Sequence, residues 1–282
     1  MIVVEQAGDM QARIGQLKRD GWSVGLVPTM GFFHEGHLSL MRAARENDVV
    51  VVSLFVNPAQ FGPGEDLAAY PRDLERDLKM AESVGVDIVF HPAPEEMYPE
   101  PFLTHVDVER VTAGLCGRSR PGHFRGVTTV VTKLLHIIPA DRAYFGQKDA
   151  QQLAVIRQMV RDLNMDIEVV ACPIIREPDG LAMSSRNAYL GDAERRAATV
   201  LHRSLREAER LVESGERRAT EIEAAVHTVF KDEPLAQLEY IEVCDNIGMQ
   251  PIAQLEGTIL VAVAAKIGGS RLIDNVLLKV ED

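Results

Sequence analysis

The run DVVVVSLFV, residues 48–56, constrains this chain more than any other feature. A strand with one wet face alternates apolar and polar residues, whereas an unbroken apolar run must be covered on both faces, as in a parallel sheet. VGLVPTM (24–30) reads as a neighbouring buried strand and DIVFHP (87–92) as a third, stopped by Pro92. RAYFGQ (142–147) and IEVVACPII (167–175) repeat the pattern. Helical spacing fills the gaps, at HLSLMRAAREN (37–47), RDLERDLKMAESVG (72–85) and 149–163. GVTTVVTKLLHII (126–138) is apolar too, but its length and Lys133 favour a buried helix. Strands alternating with helices predict an α/β fold with a Rossmann-like parallel sheet.

The rhythm changes near REPDG (176–180). A long charged helix is expected over 191–215, ending at Gly215, and a second over 221–230. LEYIEVCD (238–245), TILVAVAAKIGG (258–269) and SRLIDNVLLKV (270–280) read as strands, with GGS as a turn. The expected organisation is therefore a domain over 1–175 and a smaller α+β domain over 176–282.

The chain has 30 Lys and Arg against 42 Asp and Glu, a formal net charge of −12. That balance disfavours broad nucleic-acid or membrane-surface binding while leaving room for a local basic pocket. The N-terminus lacks a basic stretch followed by a long apolar one, so no signal peptide is expected, and no apolar stretch reaches transmembrane length. The scattered Cys116, Cys172 and Cys244 fit a reducing cytoplasm better than a disulfide framework.

Five segments carry chemistry. PTMGFFHEGH (28–37) sits where a strand becomes a helix. A helix N-terminus favours phosphate, Gly31 permits a tight turn, and His34 and His37 share a face across Gly36. Imidazole donors there can stabilise charge on phosphate oxygens. A lone histidine at such a place would read as a surface cap; H-x-G-H at a strand-to-helix junction points to nucleotide chemistry. LAMSSRN (181–187) offers Ser184, Ser185 and Arg186 to a triphosphate, although serine-rich loops are more often plain turns. In YFGQKDAQQ (144–152), Lys148 can neutralise a phosphate, Asp149 can cap a helix or take a ribose hydroxyl, and Gln151 or Gln152 faces the same crevice. FVNPAQFGPGED (55–66) follows a strand, and its Asn57 and Gln60 suit a small polar substrate, although in isolation it reads as a surface loop. CGRSRPGHFRGVTTVV (116–131) gathers Arg118, Arg120, His123 and Arg125, which suits an anionic ligand, a domain-spanning clamp or a solvated basic loop.

In their order and spacing, PTMGFFHEGH, FVNPAQF, RPGHFRGV, FGQKD with QQL, and REPDGLAMSSRN closely resemble the pantothenate synthetase (pantoate–β-alanine ligase) family across nearly the whole chain. Phe32 and Phe33 stand where many members have smaller or aliphatic residues, and Gln147 where Glu is common. The resemblance implies an AMP-forming ligase that makes pantothenate from pantoate, β-alanine and ATP with Mg²⁺, through a pantoyl-adenylate. It implies ATP contacts from Met30, Gly31, Phe32, Phe33, His34, Glu35, Gly36 and His37, from Gly146, Gln147, Lys148 and Asp149, and from Ile175, Met183, Ser184, Ser185 and Arg186. Pantoate falls to Gln60 and Gln152, with β-alanine also near Gln60; Asn57 and Arg120 join the substrate candidates. His37 matches the family's proton donor. His34, Lys148, Ser184, Ser185 and Arg186 complete the catalytic candidates, and no metal ligand is fixed. The resemblance further implies a cytoplasmic homodimer whose second domain closes over the site and excludes water from the adenylate.

Two other classes compete. An aminoacyl-tRNA synthetase or a nucleotidylyltransferase would use H-x-G-H equally well, but the first needs a tRNA-binding domain, here contradicted by acidic stretches such as EAERLVESGE, and the second leaves Asn57 and Gln60 without a role. A non-catalytic nucleotide sensor would not need so many phosphate-directed side chains.

Overall fold

The computed structural model describes residues 1–280. The first part of the chain runs β1 (Ile2–Val4), α1 (Ala7–Arg19), β2 (Val24–Thr29), α2 (Glu35–Ala44), β3 (Val49–Leu54), α3 (Leu74–Ser83), β4 (Ile88–Phe90), α4 (Pro94–Met97), α5 (Leu115–Ser119), α6 (His123–Ile137), β5 (Arg142–Gly146), α7 (Ala150–Asp162) and β6 (Glu168–Cys172). It continues with α8 (Asp192–Ala197), α9 (Val200–Glu213), α10 (Ala219–Lys231), β7 (Ala236–Asp245), β8 (Gly257–Ile267) and β9 (Ser270–Val280).

The chain forms two compact units, one of residues 1–109, 119–147 and 155–173, the other of 110–118, 148–154 and 174–282. The first unit is built on a six-stranded sheet of order β1-β4-β3-β2-β5-β6, parallel throughout. Every residue of β3 is buried, as its apolar run requires, and Val50, Val51 and Val52 have no exposed surface. Each such valine stabilises the fold by about 1.5–3 kcal/mol, an upper figure for a compact unfolded chain. Strand order reverses between β2 and β5, which pair at Gly25–Arg142 and Leu26–Ala143. Ligands of open α/β sheets bind beyond the carboxyl ends of the strands at such a point. Three of the motif segments leave the carboxyl ends of the adjacent strands β3, β2 and β5.

The second unit centres on the antiparallel sheet β7-β8-β9. Leu201 and Leu205 of α9, Ile222 and Val226 of α10, and Val261 and Val263 of β8 form its core. The β8–β9 hairpin turns at Gly268-Gly269, with Gly268 at φ +55°, the conformation that two-residue hairpins favour.

The helix expected over 191–215 is two helices, α8 and α9. Between them the backbone tightens to a three-residue turn from Thr199 N–H to the Arg196 carbonyl, and the Thr199 hydroxyl donates to that same carbonyl at 2.7 Å. Such back-bonding competes with the regular helical ladder. The boundaries of α2 and α6 also lie earlier than their periodicity suggests, which makes His34 the N-cap of one and His123 the first residue of the other.

Candidate active site

After β2 the chain enters the left-handed region at Gly31 (φ +82°) and Phe32 (φ +50°). A Cβ on Gly31 would lie 3.0 Å from Asp77 Oδ2 and 3.1 Å from Leu54. Asp77, on the buried face of α3, makes this turn possible. Its carboxylate accepts the Phe32 N–H at 2.6 Å and the Phe33 N–H at 2.7 Å, satisfying two amides the turn would otherwise strand. Burial pushes the Asp77 pKa up, while the two amides and the Arg76 guanidinium oppose that shift. Arg76 closes the arrangement by donating to the Phe33 carbonyl at 2.8 Å and lying 5.0 Å over the Phe32 ring.

The turn delivers the paired histidines. His34 is extended (φ −139°, ψ 175°), and its Nδ1 accepts the Gly36 N–H at 3.1 Å. His37 Nδ1 accepts the His34 N–H at 3.3 Å, so the two imidazoles form a reciprocal cap, their ring centres 4.1 Å apart. Because both Nδ1 atoms accept from backbone, the proton of each neutral ring sits on Nε2. Two Nε2–H donors on one helix start suit oxyanions. Phe33, almost fully buried, supports the His37 ring at 5.6 Å.

The β3 loop fixes Gln60. Asn57 caps the short turn Pro58–Gln60 and is 1% exposed. Its Nδ2 donates to Gln60 Oε1 at 3.0 Å and to the Gly126 carbonyl at 3.1 Å, and its Oδ1 accepts the Tyr98 hydroxyl at 2.7 Å. Asn57 is thus committed to holding Gln60, whose Nε2 is left as the donating end, 3.2 Å from Met30 Sδ. The Gln60 carbonyl accepts from His123 Nδ1 at 2.9 Å and Arg120 Nη2 at 3.3 Å. Arg120 Nη1 lies 3.1 Å from His123 Nε2, and Arg120 is clamped by Glu65 through Nε at 2.7 Å and Nη2 at 2.5 Å. Glu65's carboxyl is held below its usual range by this hydrogen bond. Arg120 therefore braces the Gln60 loop with its charge neutralised. The two other arginines of that segment are also paired, Arg118 with Glu242 at 3.1 Å and Arg125 with Asp107 at 3.3 Å, so the basic cluster is dispersed among carboxylates remote in sequence.

In the second unit, Lys148 and Asp149 lie in a tight turn opening α7. Gln151 is buried and spent on the segment 110–118, donating to the Val111 and Gly114 carbonyls and accepting the Cys116 N–H, all at 2.9 Å. Its neighbour Gln152 is half-buried. Residues 175–183 fold as a small hairpin in which Met183 N–H donates to the Ile175 carbonyl at 2.9 Å. That bond sets Ile175 opposite Met183. Gly180 turns the hairpin at φ +93°, and a Cβ there would come within 2.0 Å of His202 Nδ1. Ser184 then caps the turn Ser185–Tyr189 by accepting the Arg186 N–H at 3.3 Å. Asn187 ties this turn back to Glu177 at 3.0 Å and to the Ala182 carbonyl at 3.1 Å.

Asp77, Tyr98, Glu65 and Gly126 were not anticipated as site residues. Only Asp77 left a trace, as a carboxylate one helical turn before the buried Ala81. Among the described residues no group of three or more His, Cys, Asp or Glu side chains could hold a metal, and the three cysteines are free and buried.

A wholly parallel sheet, a reversal of strand order beside β2, and an H-x-G-H capping the helix after it define an α/β enzyme of the nucleotidyl-transfer type. The model of the family "Pantoate-beta-alanine ligase" matches residues 2–277. The pantothenate synthetase of Acetivibrio thermocellus is 54% identical over 99% of this chain and 100% of its own length. That of Heliobacterium modesticaldum is 56% identical over the same shares. The crystal structure of pantothenate synthetase from Thermus thermophilus superposes with a TM-score of 0.94 at 44% identity over 100% of both chains. A pantoate-beta-alanine ligase from Francisella tularensis, complexed with beta-gamma ATP and beta-alanine, gives 0.81 at 35% identity over 98% of this chain and 97% of its own. This chain belongs to the pantoate–β-alanine ligase family.

Proposed function

We propose that the chain condenses pantoate with β-alanine at the expense of ATP, through a pantoyl-adenylate. A pantoate carboxylate oxygen attacks the α-phosphorus of ATP, the bond from that phosphorus to the β-phosphate bridge breaks, and pyrophosphate leaves with the electron pair. The β-alanine amine then attacks the acyl carbon, the carbon–oxygen bond to AMP breaks, and the nitrogen loses its proton. The first step converts a poor leaving group into a good one.

Family membership and the reciprocal cap of His34 and His37 support this reading together. The cap fixes two Nε2–H donors without a covalent intermediate, and among the described residues no Ser, Cys or Lys sits in a recognisable nucleophile setting. In the proposal His37 and His34 donate to phosphate oxygens as charge grows on them. Lys148, Ser184, Ser185 and Arg186 neutralise and orient the phosphates, and Met30–His37, Gly146–Asp149, Ile175 and Met183 complete the nucleotide contacts. Gln60 Nε2–H orients pantoate, with Gln152 a second pantoate contact and β-alanine arriving near Gln60. Asn57 and Arg120 serve by holding Gln60. Mg²⁺ is assigned to the ATP itself, since Mg²⁺ is held mainly by substrate phosphates and the waters it retains rather than by an all-protein cage. The homodimer and the cytoplasmic location are likewise proposed; among the described residues no helix is long and apolar enough to cross a membrane.

The test is isotopic. With the pantoate carboxylate labelled by heavy oxygen, one labelled atom is expected in AMP, and labelled pyrophosphate should exchange into ATP with pantoate alone. Label in inorganic phosphate with ADP as product, or exchange that requires β-alanine, would overturn the adenylate route.

A further inference from the structure

We propose that Asp274 and Asn275, consecutive residues of β9, are positioning residues for the phosphate-directed loops of the second unit. The inference rests on reading Lys148 and Ser184–Arg186 as phosphate ligands.

Both side chains are buried, Asp274 to 2% and Asn275 to 3% exposure, on a strand paired with β8 without interruption from Ile267–Ser270 to Gly257–Val280. Consecutive strand residues project to opposite faces, so one rigid strand can hold two loops at a fixed spacing. Asn275 Nδ2 donates to the Lys148 carbonyl at 2.9 Å. Asp274 receives Arg176 on both oxygens, Nη1 to Oδ2 at 2.6 Å and Nη2 to Oδ1 at 3.0 Å, while Oδ1 also accepts the Asn275 N–H at 2.8 Å. Arg176 Nη1 donates onward to the Gly180 carbonyl at 3.0 Å, across the hairpin whose return strand leads into Met183 and Ser184. A planar fork on a buried carboxylate fixes direction as well as distance. The chemistry at 275 is equally directional: an amide can donate to the Lys148 carbonyl, whereas a carboxylate there would oppose it. Neither residue is placed in direct contact with ATP; each acts through a loop.

Double-mutant cycles test this, read as the Kd of β,γ-methylene-ATP on the full chain. N275A is expected to weaken binding roughly tenfold and N275D more, with the Michaelis constant for β-alanine unchanged. In a K148A background N275A should add less than a twofold loss, and D274N should likewise lose most of its effect in an R186A background. Equal losses in both backgrounds would show a merely structural contribution and overturn the inference, with the loss in K148A itself leaving the phosphate reading intact. K148A binding like the parent would remove that reading, and the inference with it. Should N275A fail to fold, N275S carries the same cycle, and parental affinity in N275S and N275D would overturn the proposal.

Discussion

At the scale of the residue, the decisive fact is where protons sit. The capped Nδ1 atoms of His34 and His37 set the tautomer of both rings before any ligand arrives, which in the proposed role keeps reorganisation during the reaction small. His37→Ala should slow pyrophosphate exchange about a hundredfold, the scale of losing one transition-state donor, with little change in melting temperature. Near-parental exchange, or an unfolded variant, would refute that role. His202 makes a second prediction. Burial holds its pKa below the ordinary 6.5, with the nearby Arg176 adding to the shift and Asp274 opposing it. The unfolded chain then binds more protons, so stability is complete above about pH 6.5 and falls as the pH drops through that value toward the folded-state pKa. Thermal melts from pH 7 to pH 5 should show the loss, and His202→Gln should flatten the slope. An unchanged slope would mean that His202 does not report on this region.

At the scale of the element, glycine decides how closely pieces approach. A Cβ on Gly126 would sit 2.2 Å from the Ala59 carbonyl oxygen and 2.6 Å from Gln60 Cα, so the turn bearing Gln60 rests directly on α6. Gly126→Ala must push that turn outward. The expected result is a rise in the pantoate Michaelis constant of roughly tenfold or more, as misplacements near 1 Å produce, with the ATP constant little changed. Equal effects on both substrates would argue against Gln60 as the pantoate contact. Elements differ in how legible they are in the sequence. β3 announced itself through eight nearly unbroken apolar residues, and the buried α6 was separable from a strand by length and by Lys133. β1 was missed because it has three residues and one buried side chain, and α1 because only Met10 and Ile14 of its thirteen are buried. H-x-G-H was visible as a motif, but its support was not. Asp77 lies 44 and 45 residues from the amides it accepts, and Glu65 lies 55 from Arg120. Sequence shows where polar groups cluster; it does not show which remote carboxylate neutralises them, so a basic patch was read where three separate ion pairs exist.

At the scale of the whole molecule, the second unit is assembled from non-contiguous chain. Residues 110–118 supply Arg118 to the buried Glu242 and Cys116, whose sulfur lies 3.3 Å from the Tyr240 hydroxyl and 3.6 Å from the Arg271 guanidinium. A fragment of residues 174–282 lacks those partners. Its β7 amides should exchange with solvent markedly faster than in the full chain, with about 1–3 kcal/mol of lost protection from the stranded buried groups. Equal protection would show that the segment 110–118 is a passenger.

That interrupted connectivity also has a consequence during synthesis. Cys116 leaves the ribosome 155 residues before Arg271, and Asn275 follows Lys148 by 127 residues. Closing loops of that length is entropically costly until the final hairpin can repay it. The nascent chain can complete the parallel sheet early, but it must carry segment 110–118 unpaired until β9 emerges. The tyrosine, thiol and carboxylate partners of the second unit are therefore sealed only once β9 has emerged, which makes the interval before it the one in which chaperone protection matters most.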